Sequence, residues 1–447
     1  MTVFVRPDPV LESLPHVRPR RTIRALFIND TARNGGPGRS LHSILKFLDP
    51  RTVHRAVVLP RKGAIADLIV RDGAADEIRF LPSLVENPVE PWSRPMERAD
   101  FAAPVALKSA RLLGNVVKAG RSVAELAEVV GRGRYDLVYC NGTNADFIGG
   151  AIARLTRVPA LWHVRYTSLP SAVWGLHRRL SSSAGVRRII CVSRAAASLF
   201  SHCMEKVRVI HNALDLTEFD TSAVRPLLRD ELGISSGALV FGSHGRVLRR
   251  KGYIEMIRAA RIALDRLSAA ERANVFFAVV GDTPEDFRVD HVAECRALIS
   301  SLGLQAHFTM LGFRPDVRSF VADFDVAVVP SVYADPLPRA VIESMALGKP
   351  VVAYEVGGVA EMLDACTGRL VPLGEPRGDG ASDEAVERLA EAIVEYARDR
   401  GLRERQATAA RAHVESHFDA RIHARRIQDE IVLASGLMGK TGLEVDG

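Results

Sequence analysis

The sequence predicts an α/β protein made of two doubly wound domains that face each other across a cleft. Short apolar segments alternate with helical patterns through residues 22–213, and the same alternation returns through residues 214–418. A polar, turn-rich segment at 213–236 separates the two halves. Continuous apolar strands joined by helices form parallel sheets that are covered on both faces, and 447 residues suffice for two such domains.

The first half contains six apolar segments with the length and composition of buried strands. Residues 1–21, which precede them, are polar and are expected to form a flexible arm. The strands are expected at 22–29, 52–60, 135–140, 159–164, 187–193 and 206–212, and the helices at 39–48, 64–72, 99–131, 144–155 and 194–203.

The second half repeats this scheme with strands rich in Val, Ala and Phe. These strands are expected at 238–245, 275–281, 306–311, 325–330 and 350–355, and the helices at 252–267, 291–302, 339–347 and 382–399. A last helix near 419–436 is expected to pack back on the first domain. Because open α/β sheets bind ligands at the carboxyl ends of their strands, we expect the functional residues just after strands, in the cleft.

Composition excludes several classes of protein. The chain is 47% apolar and 25% charged, which fits a folded protein, and it has no apolar run long enough to span a membrane. The N-terminus lacks the apolar region of a signal peptide, so we predict a cytoplasmic location. The net charge is +7, but the arginines are spread along the chain and do not indicate nucleic-acid binding.

The cysteines have no metal-binding spacing and are expected to be buried free thiols: Cys140, Cys191, Cys203, Cys295 and Cys366.

The most specific motif lies at 330–363, PSVYADPLPRAVIESMALGKPVVAYEVGGVAEML. A strand ends at Pro330, a loop carries Asp335, and a helix that begins near Pro338 carries Glu343. Proline in a first helical turn sacrifices only an unpaired N–H, and the remaining N–H groups there form an anion site. Two acids so placed can contact different parts of one elongated ligand.

This motif resembles the hallmark of glycosyltransferase family 4: an acid, seven residues, then Glu, followed by a Gly-Lys-Pro-Val-Val strand and a Gly-Gly turn. The resemblance continues through most of the second half and is carried in the first half by two segments only. The matching second-half segments are VIHNALDLTEFD (209–220), GRVLRRKGYIEMIRAA (245–260), VVGD (279–282), LGFRPDV (311–317) and TGRLVP (367–372). The first-half segments are NGGPGRSLHSIL (34–45) and WHVR (162–165). The resemblance implies the GT-B fold, with two Rossmann-like domains.

The resemblance also implies roles for individual residues. Arg246 and Lys251 would hold the donor diphosphate, and two cations can neutralise a departing diphosphate without a metal ion. Glu343 would accept the ribose hydroxyls, and Asp335 would lie against the transferring sugar. The N-terminus of the next helix, at Leu337, Pro338 and Arg339, would add its dipole to the donor site.

Other matches concern the edges of the site. Gly35 and Gly36 would let the backbone of the first loop approach the phosphates and the acceptor. Gly312 and Arg314 match the loop beside the nucleobase. His163 ends a strand where the family often has a His near the sugar, and its expected task is hydrogen bonding rather than base catalysis.

The chain departs from the family pattern at the hallmark itself. Asp335 stands where the family usually has Glu, and Leu337 and Pro338 stand where it often has Phe-Gly. Pro338 cannot donate the backbone hydrogen bond that a glycine offers to a sugar hydroxyl. A D-x-D sequence at Asp323 and Asp325 has the form of a metal site, but it runs directly into an apolar strand, so we predict no metal site.

These features predict a retaining glycosyltransferase that needs neither metal nor cofactor, with a nucleotide sugar as donor substrate and an unknown hydroxyl acceptor. The pathway would be biosynthesis of a glycan, a glycolipid or a glycosylated metabolite. A nucleotide-sugar epimerase of the same fold and a non-catalytic nucleotide-sugar-binding protein remain as alternatives. A dinucleotide oxidoreductase is disfavoured because no G-x-G-x-x-G follows the first strand.

Two basic stretches in the first half are relevant to whether the acceptor is lipid-linked or soluble. Residues 101–136 and 173–189 place cations among apolar residues at roughly helical spacing, as in helices that lie on anionic lipid surfaces. These cations are Lys108, Arg111, Lys118, Arg121, Arg178, Arg179, Arg187 and Arg188. A lipid-linked acceptor with peripheral membrane contact and a soluble acceptor with a solvated basic face are both consistent with them.

Overall fold

The computed structural model describes residues 17–32, 35–84, 105–284, 289–375, 378 and 380–439, with backbone only for 105–112. The first sheet has the strand order β3-β2-β1-β4-β5-β6-β7, and every pairing is parallel. Its strands are β1 Ile23–Asn29, β2 Val53–Leu59, β3 Glu77–Phe80, β4 Leu137–Asn141, β5 Ala160–Val164, β6 Val186–Cys191 and β7 Val207–Val209. The helices of this domain are α1 Gly36–Phe47, α2 Ala64–Arg71, α3 Val105–Gly133, α4 Thr143–Thr156, α5 Ser171–Ser181 and α6 Arg194–Ala197.

The second sheet has the order β10-β9-β8-β11-β12-β13 and is also parallel in every pairing. Its strands are β8 Leu239–His244, β9 Val275–Val280, β10 Phe308–Met310, β11 Val326–Val329, β12 Val351–Tyr354 and β13 Gly368–Val371. The helices are α7 Leu228–Leu232, α8 Tyr253–Arg266, α9 Ala269–Arg272, α10 His291–Ser301, α11 Arg318–Val321, α12 Arg339–Ala346, α13 Asp383–Arg398, α14 Arg400–His417 and α15 Ala420–Ser435.

Each sheet is buried on both faces, which explains why its central strands are apolar throughout. Leu239 and Phe241 of β8 pack in one core cluster, whereas Val240 packs in the cluster on the opposite face. In β1, Leu26 likewise packs in one core cluster and Phe27 packs in the cluster on the opposite face. Successive strand residues point to opposite faces, so a strand covered on both sides shows no polar alternation.

The short strands at the edges of the two sheets were not predicted from the sequence. β3 and β13 have four residues each and lie at the ends of their sheets, where half-exposed charged residues interrupt the apolar run. The strand expected at 206–212 is shorter, because the chain leaves the sheet after Val209. The helices α5 and α14 were also not predicted. The part of the helix expected at 99–131 that precedes residue 105 lies outside the described residues.

The two passages between the domains lie side by side. The N–H of Leu214 donates to the carbonyl of Phe418 at 2.9 Å, and the N–H of Ala420 donates to the carbonyl of Leu214 at 2.9 Å. The last helix, α15, then packs its Ile427 and Ile431 in a cluster with Leu41 of α1. In the expected N-terminal arm, residues 1–16 lie outside the described residues, and residues 18–20 pair with residues 437–439.

Within the described residues, no helix is long and apolar enough to cross a membrane. Four of the five cysteines are buried free thiols, but Cys366 is exposed. The expectation of burial was wrong for Cys366 because it lies in the turn before β13, at the edge of the sheet.

Candidate functional site

A cleft of about 510 Å³ lies where the carboxyl ends of the two sheets meet. The first domain contributes residues that follow β1, β4, β5 and β6, and the second contributes residues that follow β8, β9, β10 and β11. This is the position expected for a ligand of two facing open sheets. Ten of the twelve residues chosen from the sequence line it: Gly35, Gly36, Arg246, Lys251, Arg314, Asp335, Leu337, Pro338, Arg339 and Glu343. Gly312 is bridged to Gly281, which lines the cleft, but does not itself line it.

The first charged group in the cleft is built around Asp335. Lys251 Nζ lies 2.5 Å from Asp335 Oδ2, and the Tyr333 hydroxyl donates to the same oxygen at 2.8 Å. Burial raises the pKa of the Asp335 carboxyl, but the charge of Lys251 outweighs burial and lowers it overall. Burial lowers the pKa of Lys251, and Asp335 likewise reverses this effect. Both groups are therefore ionised at neutral pH, and the cation is held in a fixed position.

The second charged group is centred on Glu343, which lies in α12 and is 8% exposed. His244 Nε2 donates to Glu343 Oε2 at 3.1 Å, and Arg339 Nε donates to Oε1 at 3.0 Å. Burial raises the pKa of Glu343, but the charge of Arg339 and the hydrogen bond from His244 lower it to about 2. A carboxylate that remains ionised in the cleft wall can accept hydrogen bonds from ligand hydroxyls.

Arg246 differs from both groups because it is exposed in the cleft. It makes no hydrogen bond and no ion pair with the residues that the structure describes. The rest of the basic run does not form a solvated face. Arg249 pairs with the buried Glu255 at 2.8 Å, and Arg250 lies over the Tyr333 ring at 4.9 Å. Arg246 is thus exposed to a ligand in the cleft, whereas Arg250 also lines the cleft but is half-buried against the Tyr333 ring.

Two glycine positions bring the loops of the second domain close together. Gly252 has φ +75°, and a Cβ there would lie 1.7 Å from the carbonyl oxygen of Pro330. A Cβ on Gly358, in the Gly-Gly turn, would lie 2.0 Å from the carbonyl oxygen of Pro336. The loops that carry Lys251 and Asp335 therefore reach their positions only because side chains are absent at these contacts.

The first-domain wall approaches with glycine backbone and hydrogen-bonding groups. A Cβ on Gly35 would have no neighbour within 4 Å, and one on Gly36 would lie 3.7 Å from Arg339 Cδ across the cleft. Asn212 Nδ2 donates to the carbonyl of Leu337 at 3.1 Å, and Thr167 Oγ1 donates to the carbonyl of Ala334 at 2.5 Å. The loop that carries Asp335 is thereby hydrogen-bonded to the first domain on both sides.

Family models match both halves of the chain. The model for Glycosyltransferase Family 4 matches residues 34–218, and the model for Glycosyl transferases group 1 matches residues 224–413. Together the two models cover most of the chain, which belongs to the group 1 and family 4 glycosyltransferases. The resemblance inferred from the hallmark at Asp335 and Glu343 is confirmed.

Curated relatives of this family member match it over part of their length. A 2-deoxystreptamine N-acetyl-D-glucosaminyltransferase from Streptomyces fradiae is 31% identical over 44% of this chain and 45% of its own. A D-inositol 3-phosphate glycosyltransferase from Arthrobacter sp. is 30% identical over 56% of this chain and 62% of its own. The chain thus spans about half to two thirds of the length of these relatives.

A solved structure shares the fold of this family member over nearly all of the chain. The structure of Anabaena Alr3699/HepE in complex with UDP-glucose aligns with a TM-score of 0.70 and 23% identity, and covers 92% of this chain and 99% of its own. The predicted GT-B fold, with two Rossmann-like domains, is confirmed.

His163, which the sequence placed in the site, does not line the cleft. It is 2% exposed and borders a separate cavity of about 10 Å³. Arg165 and Asn212 border both spaces and stand between His163 and the cleft. Its Nδ1 is hydrogen-bonded to the Tyr139 hydroxyl, and its Nε2 has no partner among the described residues. Burial, with the nearby charge of Arg165, holds its pKa well below the ordinary value, so the ring is neutral.

The loop at 312–314 lies at one end of the cleft. Gly312 has φ +74°, and its carbonyl accepts a hydrogen bond from the N–H of Gly281 at 2.9 Å. Arg314 is paired with Glu231 and lies over the Phe320 ring at 5.2 Å. Between them, the Phe313 side chain is 60% exposed and lines the cleft. Gly312 and Arg314, which shape this loop, were predicted from the sequence, but the aromatic ring of Phe313 at its tip was not.

The D-x-D sequence is engaged in structural contacts. Asp323 accepts the backbone N–H of Arg229 at 3.0 Å, and Asp325 accepts the Arg229 guanidinium at 2.8 Å and the N–H of Val240 at 2.8 Å. These contacts join α7 to the start of β8. No cluster of three or more His, Cys, Asp or Glu side chains suited to a metal ion occurs in the described ranges.

Besides Phe313, four residues of the site were missed from the sequence: His244, Tyr333, Arg165 and Asn212. Each follows or ends a strand, so the rule that ligands bind at carboxyl ends could have flagged them. His244 ends β8 directly before the Gly-Arg of the basic motif. Its partner Glu343 is 99 residues away, and that pairing is decided by the fold alone.

Proposed function

We propose that this protein is a retaining glycosyltransferase that moves a sugar from a nucleoside-diphosphate donor to a hydroxyl acceptor without a metal ion. The observation that carries this proposal is the arrangement of charges on the second-domain wall. Arg246 has no partner among the described residues and Lys251 is held by Asp335, while Glu343 remains ionised on the same wall. Two cations beside an ionised carboxylate suit a diphosphate joined to a ribose.

In this proposal the donor lies along the second domain, and the acceptor binds on the first domain. The exposed Phe313 ring offers a surface for stacking the nucleobase, and Glu343 accepts the ribose hydroxyls. Arg246 and Lys251 neutralise the diphosphate as its bond to the sugar breaks. Charge stabilisation by groups that are already in position is worth most at this step, because they need no reorganisation.

Retention of the anomeric configuration follows if the acceptor attacks from the side on which the diphosphate departs. A phosphate oxygen of the leaving group then takes the acceptor's proton, the bond from the anomeric carbon to the diphosphate breaks, and a bond to the acceptor oxygen forms. Asp335 lies at the sugar end of the donor in this arrangement, and its pairing with Lys251 keeps it unprotonated. His163 would act indirectly, by holding Arg165 at the cleft wall.

The names of the relatives suggest which donors to try first. The Anabaena structures contain UDP and UDP-glucose, and the Streptomyces fradiae relative is named for transfer of N-acetyl-D-glucosamine. We therefore propose a uridine nucleotide sugar as the donor, with glucose and N-acetylglucosamine as the first sugars to test.

The test is a donor screen followed by product analysis. Thermal shift with common nucleotide sugars selects the donor, and turnover is then measured with and without excess chelator. Proton NMR coupling constants of the fresh product report its anomeric configuration. An inverted product, or activity that is lost with chelator and restored by manganese, would contradict the proposed mechanism. An epimerised donor, or a donor that binds without reacting, would favour one of the two alternatives.

We further propose that the first domain contacts an anionic membrane through α3. Leu113, Val116 and Val117 are 65%, 54% and 63% exposed on this helix, and Lys118 and Arg121 are exposed beside them. The side chains of Lys108 and Arg111 lie outside the described residues. Exposed apolar and basic side chains on one helix suit an interface rich in anionic lipid.

The other basic stretch contributes fewer cations to this surface than the sequence suggested. Arg178 and Arg179 are exposed on α5, where Trp174 and Leu176 are also 37% and 53% exposed. Arg187 instead donates to the carbonyl of Ala434 at 3.0 Å, and Arg188 pairs with Glu430 at 3.1 Å. Both bind α15, because that helix packs back on the first domain.

A further inference from the structure

Among the residues that the structure describes, the first-domain wall of the cleft contains cations but no carboxylate. Its cations are Arg39 and Arg165. The second-domain wall, in contrast, contains Asp282, Asp335 and Glu343. The side on which the proposed function places the acceptor is therefore suited to an anion.

Arg165 is positioned by neutral groups only. Its Nε donates to Asn141 Oδ1 at 2.8 Å, one terminal nitrogen donates to Asn212 Oδ1, and the other lies 3.5 Å from His163 Nδ1. These contacts use three of the five N–H donors of a guanidinium. The remaining two have no acceptor among the residues that the structure describes, although Arg165 lines the cleft.

The charge of Arg165 is not balanced by an ion pair in the described part of the chain. Burial, with the nearby charge of Arg339, lowers its pKa to about 10, so the side chain remains a cation at neutral pH. Asp146, which lies behind the wall, is fully buried, and burial raises its pKa well above the ordinary value. Asp146 makes no ion pair with Arg165; its carboxylate instead accepts a hydrogen bond from the Tyr166 hydroxyl at 3.0 Å. A partly buried cation without a counter-ion is unfavourable unless a ligand supplies the anion.

We infer that Arg165 binds a phosphate group carried by the acceptor, so that the acceptor substrate of this protein is a phosphorylated molecule. This inference rests on the proposed function, in which the first domain binds the acceptor. The donor diphosphate already has Arg246 and Lys251 on the opposite wall. A fixed guanidinium that keeps two uncommitted N–H donors can bind the oxygens of a phosphate, which makes Arg165 a specificity-determining residue.

The test separates the two anion sites by calorimetric titration. UDP, GDP, ADP and dTDP are titrated first, and their binding reports on the proposed donor site alone. Inorganic phosphate is then titrated into protein saturated with the nucleotide that binds. We expect phosphate to bind the saturated wild type, and Arg165→Gln to weaken phosphate binding about 10- to 100-fold while nucleotide affinity changes less than about twofold.

Two further variants control for folding and for general charge. Arg165→Lys keeps a cation and is expected to lose less phosphate affinity than Arg165→Gln. Arg154→Gln, at an exposed position of the same domain outside the cleft, is expected to behave as wild type. Circular dichroism checks that each variant is folded.

Three outcomes would overturn the inference: phosphate fails to bind the saturated protein, binds wild type and Arg165→Gln equally, or binds only until the nucleotide displaces it. Equal losses of nucleotide and phosphate affinity in Arg165→Gln would assign the residue to the donor instead. Absence of nucleotide binding would contradict the proposed function separately, and phosphate titration of the free protein would then still report on Arg165.

Discussion

The two walls of the cleft differ in how they hold their charges, although the second-domain wall also carries Arg246, which has no partner among the described residues. On the second-domain wall, Asp335 is paired with Lys251, and Glu343 is paired with His244 and Arg339. On the first-domain wall, Arg165 is held by amides and an imidazole. A paired charge stabilises the fold and can also bind a ligand, whereas an unpaired charge contributes to ligand binding alone. A substitution at a paired charge should therefore lower both stability and activity, whereas a substitution at an unpaired charge should lower activity alone.

The largest expected effect concerns the two proposed diphosphate cations. Arg246→Ala and Lys251→Ala should each lower turnover by a few hundred-fold, because charge stabilisation of the leaving group is lost. Their stabilities should differ. Lys251→Ala leaves the buried Asp335 unpaired, which costs about 3–5 kcal/mol, whereas Arg246 has no partner to lose among the described residues.

Turnover and thermal unfolding, measured on the same preparations, check this prediction. Arg225→Ala removes an exposed arginine of the same domain outside the cleft and should change neither quantity. Near-normal turnover in both cleft variants would contradict the proposal that Arg246 and Lys251 hold the donor diphosphate. Equal unfolding temperatures for them would show that the Lys251–Asp335 pair does not support the fold.

The next effect is a pH dependence of stability that arises from Glu343. Its pKa in the folded protein is about 2, below the ordinary value of 4.5. A lowered pKa stabilises the fold above the ordinary pKa, and this contribution is lost as the pH falls from about 4.5 towards 2. Glu343→Gln should therefore be less stable than wild type at pH 7 by roughly 3 kcal/mol.

Urea unfolding at pH 7, 4.5 and 3 measures this difference, which should shrink below pH 4.5. Glu384→Gln removes an exposed carboxylate at the start of α13 and serves as the control. A constant gap between wild type and Glu343→Gln across this range would mean that the carboxylate is not specifically stabilised by His244 and Arg339.

A smaller effect compares one glycine from each wall. Gly252→Ala places a Cβ against Pro330 in a left-handed backbone conformation, and the backbone strain alone costs about 1–3 kcal/mol. Gly35→Ala meets no atom within 4 Å and should leave the unfolding temperature unchanged. If ligands approach the backbone at Gly35, this variant should instead raise the KM for donor or acceptor. A stable Gly35→Ala enzyme with unaltered KM would exclude close approach at this position.

The smallest effect concerns the proposed membrane surface. Wild type should co-sediment with phosphatidylglycerol vesicles at low salt but not with phosphatidylcholine vesicles, and added salt should weaken binding. Lys118→Glu should reduce the bound fraction, since each cation near the surface contributes about 1 kcal/mol. Arg405→Glu, on an exposed site of the second domain, is the control. Protein that remains in the supernatant with anionic vesicles would favour a soluble acceptor.

Local sequence patterns identified the elements that position the site. The long apolar strands were predicted because both faces of each sheet are buried, and the hallmark around Asp335 and Glu343 lies within a single loop and helix. Family membership could be inferred from the same residues. The short edge strands β3 and β13 carried too little apolar sequence to be recognised, because only part of each is buried.

The pairing of charges was decided by tertiary structure alone. Lys251 meets Asp335 across 84 residues, and His244 meets Glu343 across 99. The sequence placed His163 in the site, but Arg165, two residues further along the chain, lines the cleft and His163 lies behind it. Burial and hydrogen bonding depend on which distant segments approach one another. A sequence motif can therefore name the residues near a ligand, but the fold determines which of them remain charged, unpaired and open to it.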